Sequence, residues 1–177
     1  MSFLFLHLEL FSSPEKASGA EKVIAERTKG LDLNPHPTQQ KQLSAKKMKE
    51  LKGKIDNRTI TKVEYEQYTW NKKFAKHRDL GVKEFWYQKR QRLLNGKTPT
   101  RNWTTEQANE ILNGGRPKFN GKTMQGHHSY SASQYPHLAN KGEIIYPATF
   151  DEHFYGWHGG NWRESLPGKP INPFDEF

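Results

Sequence analysis

The chain has 177 residues, enough for one domain and an appendage. Hydrophobic residues make up 33% and mean hydropathy is −1.01, so the core must be modest and filled largely by the five Trp, seven Tyr and ten Phe. The absence of cysteine excludes disulfides and thiolate metal sites and leaves His, Asp, Glu and Asn as ligand types.

The formal charge of +9 is unevenly placed. Residues 38–101 hold 18 Lys/Arg against 6 Asp/Glu, a net of +12, while both flanks are slightly acidic. An excess of this size points to a polyanionic partner, with a solvated helical surface as the plain alternative.

The opening Ser2–Phe11 is apolar but short. It contains Glu9, lacks a basic n-region and falls far below the roughly 20 residues needed to span a bilayer. Neither a signal peptide nor a transmembrane segment is expected, and a strand is the alternative to an unrepresentative start. Ser13-Pro14-Glu15 reads as a helix start and Gly30 as its stop, before the proline-restricted break Asn34-Pro35-His36-Pro37. Residues 1–37 are thus expected to be a linker or an unrepresentative N-terminus.

Residues 38–100 read as a basic helical segment. Thr38 is the expected cap of a first helix through Leu43, Met48 and Leu51, ending near Gly53. Thr61-x-x-Glu64 is a capping box opening a second, with Gly81 as its stop. Val82–Leu94 is expected as a third helix, closed by Asn95-Gly96. Its aromatics are read as core and its lysines as solvent-facing. Thr104-x-x-Gln107 is another capping box, opening a short helix within the final segment, residues 101–177.

Five of the eight histidines fall between 127 and 158. Met124–His128 reads as a strand, Ser129–Gly142 as a polar loop, Glu143–Pro147 as a second strand, and Thr149 as the cap of a helix carrying His153 and His158. Imidazole serves both as a ligand for divalent transition metals and as a proton acceptor near neutral pH. A doublet at a strand end facing a helix with two more histidines therefore suits one metal beside one general base.

The run Gly115–His128 with its Gly126-His127-His128, then Ile144–Thr149, Glu152-His153-Phe154 and Trp157-His158-Gly159-Gly160-Asn161, resembles the GHH-signature toxin nucleases of the HNH/endonuclease VII superfamily. The resemblance covers about residues 100–170. It implies an α+β protein, a basic helical N-terminal part followed by a small ββα-metal (HNH-like) nuclease domain.

It further implies His128 as the general base, Asn140 as the residue orienting it, and His127, His153 and His158 as metal ligands. Arg116, Lys118, Lys122 and Arg163 are candidate phosphate contacts. The implied cofactor is one divalent ion (Mg, Mn, Ni or Zn). The implied activity is a metal-dependent endonuclease, a nonspecific DNase forming the C-terminal toxin domain of a bacterial polymorphic toxin. Such a toxin is delivered into a target-cell cytoplasm and opposed by a cognate immunity protein. The sequence shows no recognition module that would confer specificity. An RNase on the same fold and a non-catalytic nucleic-acid-binding module with a structural histidine site are the alternatives. His153 and His158 are five residues apart, which on an ideal α-helix separates them by about 140°.

Overall fold

The computed structural model describes residues 18–39 and 41–176. The strand considered for Ser2–Phe11 and the helix start at Ser13-Pro14-Glu15 lie outside them. Helix α1 spans Ser18–Arg27 and stops before Gly30, whose φ of +85° suits the glycine. Arg27 ties α1 to the rest. Its guanidinium donates to the carbonyls of Ile145 (2.6 Å) and Gly142 (2.7 Å) and to Gln88 Oε1 (3.1 Å), and lies 5.2 Å from the Phe85 ring centre.

Helix α2 spans Ala45–Asp56. Its cap is Ser44, whose Oγ accepts from Lys47 N–H at 3.2 Å, not Thr38, and it runs through Gly53 to Asp56. A single interior glycine costs only about 1 kcal/mol, which the good helix formers around Gly53 tolerate.

Helix α3 is one continuous rod, Lys62–Leu94, of 33 residues. The Thr61–Glu64 capping box closes as expected, with bonds of 3.2 and 3.1 Å. The expected break at Gly81 does not occur. Gly81 is buried inside the rod, and a Cβ there would stand 2.3 Å from the Ala139 carbonyl oxygen. The glycine admits a neighbouring backbone instead of ending the helix. Asn95 and Gly96 (φ +63°) terminate α3.

Helix α4, Thr105–Leu112, opens on the Thr104–Gln107 capping box. A hairpin follows, β1 (Lys118–Phe119) and β2 (Lys122–Thr123), turned by Asn120 and Gly121, both at positive φ, as a tight two-residue hairpin loop requires. Strand β3 (Gln125–His128) pairs antiparallel with β4 (Ile145–Ala148), setting His127 opposite Tyr146 and His128 opposite Ile145. Strand β4 begins later than the expected Glu143. Residues Gly142–Ile144 form a 3-10 turn, where the Gly142 carbonyl faces Arg27.

After β4, Thr149 and Glu152 cap each other reciprocally (2.8 and 3.2 Å) and a π-helix runs over Glu152–Trp157. The Glu152 carboxylate also forms a buried two-pronged pair with Arg101 (2.8 and 2.9 Å), which anchors the start of this helix. The architecture is α+β, with β3, β4 and the π-helix forming the ββα unit. Ile24, Phe85, Ile111, Tyr146 and Trp157 from five elements meet in one core. Each such fully buried side chain contributes roughly 1.5–3 kcal/mol. No described helix is long and apolar enough to cross a membrane.

Candidate active site

Strand β3 and the π-helix bring three imidazoles together. The ring centres of His127, His153 and His158 form a nearly equilateral triangle with sides of 4.9, 5.0 and 4.9 Å. One nitrogen from each ring lies within 4.8 Å of the others. The five-residue spacing is explained by the backbone. The His158 N–H bonds the His153 carbonyl at 3.0 Å, the i→i+5 bond of a π-helix, which stacks residue 158 over residue 153. Gly159 and Gly160, at φ +60° and +82°, then end the helix.

The hydrogen bonds decide which nitrogens face inward. His153 Nδ1–H donates to Gln125 Oε1 at 2.6 Å, and His158 Nδ1–H donates to the Glu164 carbonyl at 2.7 Å. Each ring therefore keeps its lone pair on Nε2, and the two Nε2 atoms stand 3.2 Å apart. His127 Nε2 is buried with no hydrogen-bond partner. Burial, and then the neighbouring His153 and His158, hold the His127 pKa well below the ordinary value, so the ring is neutral. Burial likewise pushes His153 down to about 4.

Three imidazoles with ring nitrogens converging on one point, one of them buried without a partner, are the donor set a divalent cation satisfies. The 3.2 Å gap agrees with two ligands each about 2.0–2.1 Å from one tetrahedral ion. The outer bonds to Gln125 and Glu164 fix the tautomers, as carboxylates and carbonyls do around metal-binding histidines. The residues fit the ion.

His128 points from the same strand into the same cleft, of about 340 Å³, lined also by the three clustered histidines, Arg78 and Arg163. Its Nε2–H donates to the Ala139 carbonyl at 3.0 Å, which leaves Nδ1 as the unprotonated nitrogen. Burial pushes its pKa down to about 4. Trp157 lies beneath the cluster, fully buried and 4.4 Å from the His127 ring. Trp162, half exposed, covers it from 5.1 Å at both His153 and His158.

The remaining sequence candidates divide. Arg163 lines the cleft. Lys118 and Lys122 are exposed on the β1–β2 hairpin, and Arg116 lines a separate cleft with Lys83 and Arg90. Asn140 is exposed, and among the described residues its side chain makes no hydrogen bond to His128; the backbone carbonyl one residue earlier occupies that position. Arg78, in sequence one of many basic residues on α3, also lines the cleft. Its marker is position, one turn before Gly81, where α3 meets the loop of the cleft.

Residues 69–149 match the model of a family described as GHH signature containing HNH/Endo VII superfamily nuclease toxin. This is the family the motifs resemble, and the similarity runs from within α3 through β4, a little under half of the chain. His153 and His158 follow the matched segment, so their place in the cluster rests on geometry. No curated protein matches the chain.

Proposed function

We propose that this chain is a metal-dependent endonuclease acting on DNA, the toxin domain of a bacterial polymorphic toxin, with His128 as its general base. One observation carries the reading: three imidazoles converge on one point beside a fourth whose tautomer is held for proton uptake. Among the described residues the cluster offers three protein ligands, not four, which is the open arrangement of catalytic sites rather than the closed one of structural sites. This favours the enzyme over a non-catalytic binding module.

His127, His153 and His158 would hold the ion, and a divalent cation held there would supply charge withdrawal from the scissile phosphate and the leaving oxygen. His128 Nδ1 accepts the proton of the attacking water, while the Ala139 carbonyl keeps Nε2 protonated and stabilises the imidazolium that forms. Arg78 and Arg163 orient the phosphate from the cleft walls. Among the described residues no carboxylate lines this cleft, which leaves its positive charge available to a phosphodiester. Imidazole ligands without carboxylates favour Zn or Ni over Mg or Mn.

As a toxin domain, the chain would act in the cytoplasm of a target cell after delivery, opposed by an immunity protein whose contact surface is acidic, complementing the basic segment 38–101. The test is cleavage of plasmid DNA and of total RNA under Mg, Mn, Ni and Zn separately. Cleavage of DNA supported by Zn or Ni is the expected result. Cleavage of RNA alone would move the assignment to a ribonuclease, and no cleavage with any metal would remove the enzyme.

A further inference from the structure

Next to the catalytic cleft lies a second, of about 310 Å³. Helix α3 supplies one wall with Trp70, Lys73, Phe74 and His77, at the spacing of a single helix face, and His36 and His137 stand across from them. The partition between the two clefts is the packed cluster of Phe74, Ala132 and Ala139. Arg78 follows His77 directly; its guanidinium lies 5.9 Å from the Phe74 ring centre while it lines the catalytic cleft. From Trp70 to Arg78 the helix rises about 12 Å, so the clefts are successive stations a few nucleotides apart along one rod.

The chemistry of the second cleft is specific. Among the described residues no carboxylate lines it, and Lys73 is exposed without an ion pair. The neighbouring Asp32 carboxylate is engaged by Asn34, at 3.1 Å from its backbone N–H and 2.9 Å from its side-chain amide. Trp70 is half-buried and stacked on Phe74 (4.6 Å, 17°), which holds its ring in place. His137 Nε2–H donates to the Asp32 carbonyl at 2.8 Å, so Nδ1 carries a lone pair, and that atom is buried without a partner. A fixed aromatic pair, an unsatisfied buried acceptor and a free cation together match a nucleobase with its phosphate.

We propose that this cleft is a nucleobase subsite for an unpaired residue of the strand being cut. The base lies against the Trp70–Phe74 pair and satisfies His137 Nδ1 with an N–H, while Lys73 and Arg78 hold the backbone phosphates leading to the scissile bond. A base inside a duplex presents no free face to such a platform, so the subsite selects single-stranded or frayed substrate. The proposal rests on the nuclease reading of the neighbouring cleft.

The test uses the full chain carrying His128→Ala, so that bound strands survive. Fluorescence anisotropy measures the affinity of oligothymidylate, oligouridylate and an abasic strand of equal length. Trp70→Leu is expected to weaken the two base-bearing strands about tenfold and the abasic strand little, with Trp70→Phe close to the parent. Lys73→Glu, an exposed change, is expected to weaken all three alike. The ratio between the thymidylate and uridylate arms tells DNA from RNA as the source of the base. Because Trp70→Leu removes packing on Phe74, photocrosslinking of an iodouridine strand to the parent protein gives a second reading, with the crosslink expected on the peptide holding Trp70 and Phe74. Equal loss of abasic and base-bearing strands, an unchanged affinity in folded Trp70→Leu, or crosslinks only elsewhere would overturn the subsite. Failure of the nuclease reading would look different: the protein with His128 intact would cleave nothing, while the dependence of binding on Trp70 persisted.

Discussion

Gly81 and Ala139 meet backbone to backbone: a methyl group on Gly81 would lie 2.3 Å from the Ala139 carbonyl oxygen, the same oxygen that accepts the His128 Nε2–H bond at 3.0 Å. The long helix, the loop and the candidate base are thus registered through one atom. Gly81→Ala must displace that carbonyl. Overpacking of this kind costs typically 1–3 kcal/mol, and a base that loses its orienting partner loses much of its 10²–10⁴-fold contribution. Gly81→Ala is therefore expected to lower both the melting temperature and the cleavage rate, the latter at least tenfold. Gly53→Ala in α2, where a Cβ meets nothing within 4 Å, is the control and should stabilise by about 0.5–1 kcal/mol. Equal behaviour of the two variants in melting and cleavage assays would contradict the registration.

The outer bond of His153 yields a metal-affinity prediction. Gln125 Oε1 holds the His153 tautomer from 2.6 Å. Gln125→Leu removes that acceptor without touching a ligand atom and should weaken metal binding by about 10–100-fold. His153→Ala should weaken it further. Isothermal titration with Zn or Ni measures both, and an unchanged affinity in Gln125→Leu would show that Gln125 does not orient the ligand.

The entry to the π-helix depends on a buried charge pair. Arg101 is fully buried and its guanidinium holds Glu152 through two bonds. Glu176 also faces Arg101, 3.2 Å from its Nε, so removing Glu152 leaves the buried charge partly compensated. Glu152→Ala loses the two charge-assisted bonds and is expected to destabilise by about 1.5–3 kcal/mol in urea unfolding. A loss under about 1 kcal/mol would mean that the pair does not anchor this helix.

Lys89 supplies the pH dependence. It is buried, its ammonium donating to Thr100 Oγ1, and burial lowers its pKa to about 7 from 10.5. As pH falls from 10.5 toward 7, the unfolded chain takes up the proton before the native state does. The native state therefore loses stability across that window, and the loss is complete below pH 7. Lys89→Met, which keeps the volume and removes the charge, should stabilise the protein at pH 7 by on the order of 1–2 kcal/mol, with the advantage shrinking as pH rises toward 9.5. Urea unfolding of both proteins at the two ends of this range checks the sign. An advantage that grows with pH would refute it.

What was legible in the sequence was local. The capping boxes at Thr61 and Thr104 involve residues three apart, and they close as read. The strand–loop–strand–helix order of the histidine region was legible because alternation, turn residues and motif order agree. Features set by distant contacts were not legible. Gly81 looks like a helix stop because its reason for being glycine, the Ala139 carbonyl, lies 58 positions along the chain. The spacing of His153 and His158 looked discordant because a π-helix is declared by an i→i+5 backbone bond and not by residue type. The resemblance implies the Asn140 side chain as the partner of His128, whereas the structure uses a backbone carbonyl, which any residue can offer.

The most direct test of the central claim is the His128→Ala variant, measured for both metal stoichiometry and cleavage of plasmid DNA. The expected result is one Zn or Ni bound per chain, as in the parent, with cleavage reduced about 10²–10⁴-fold. Cleavage at the parental rate, or loss of the metal along with the activity, would contradict the assignment of His128 as a base standing apart from the three ligands.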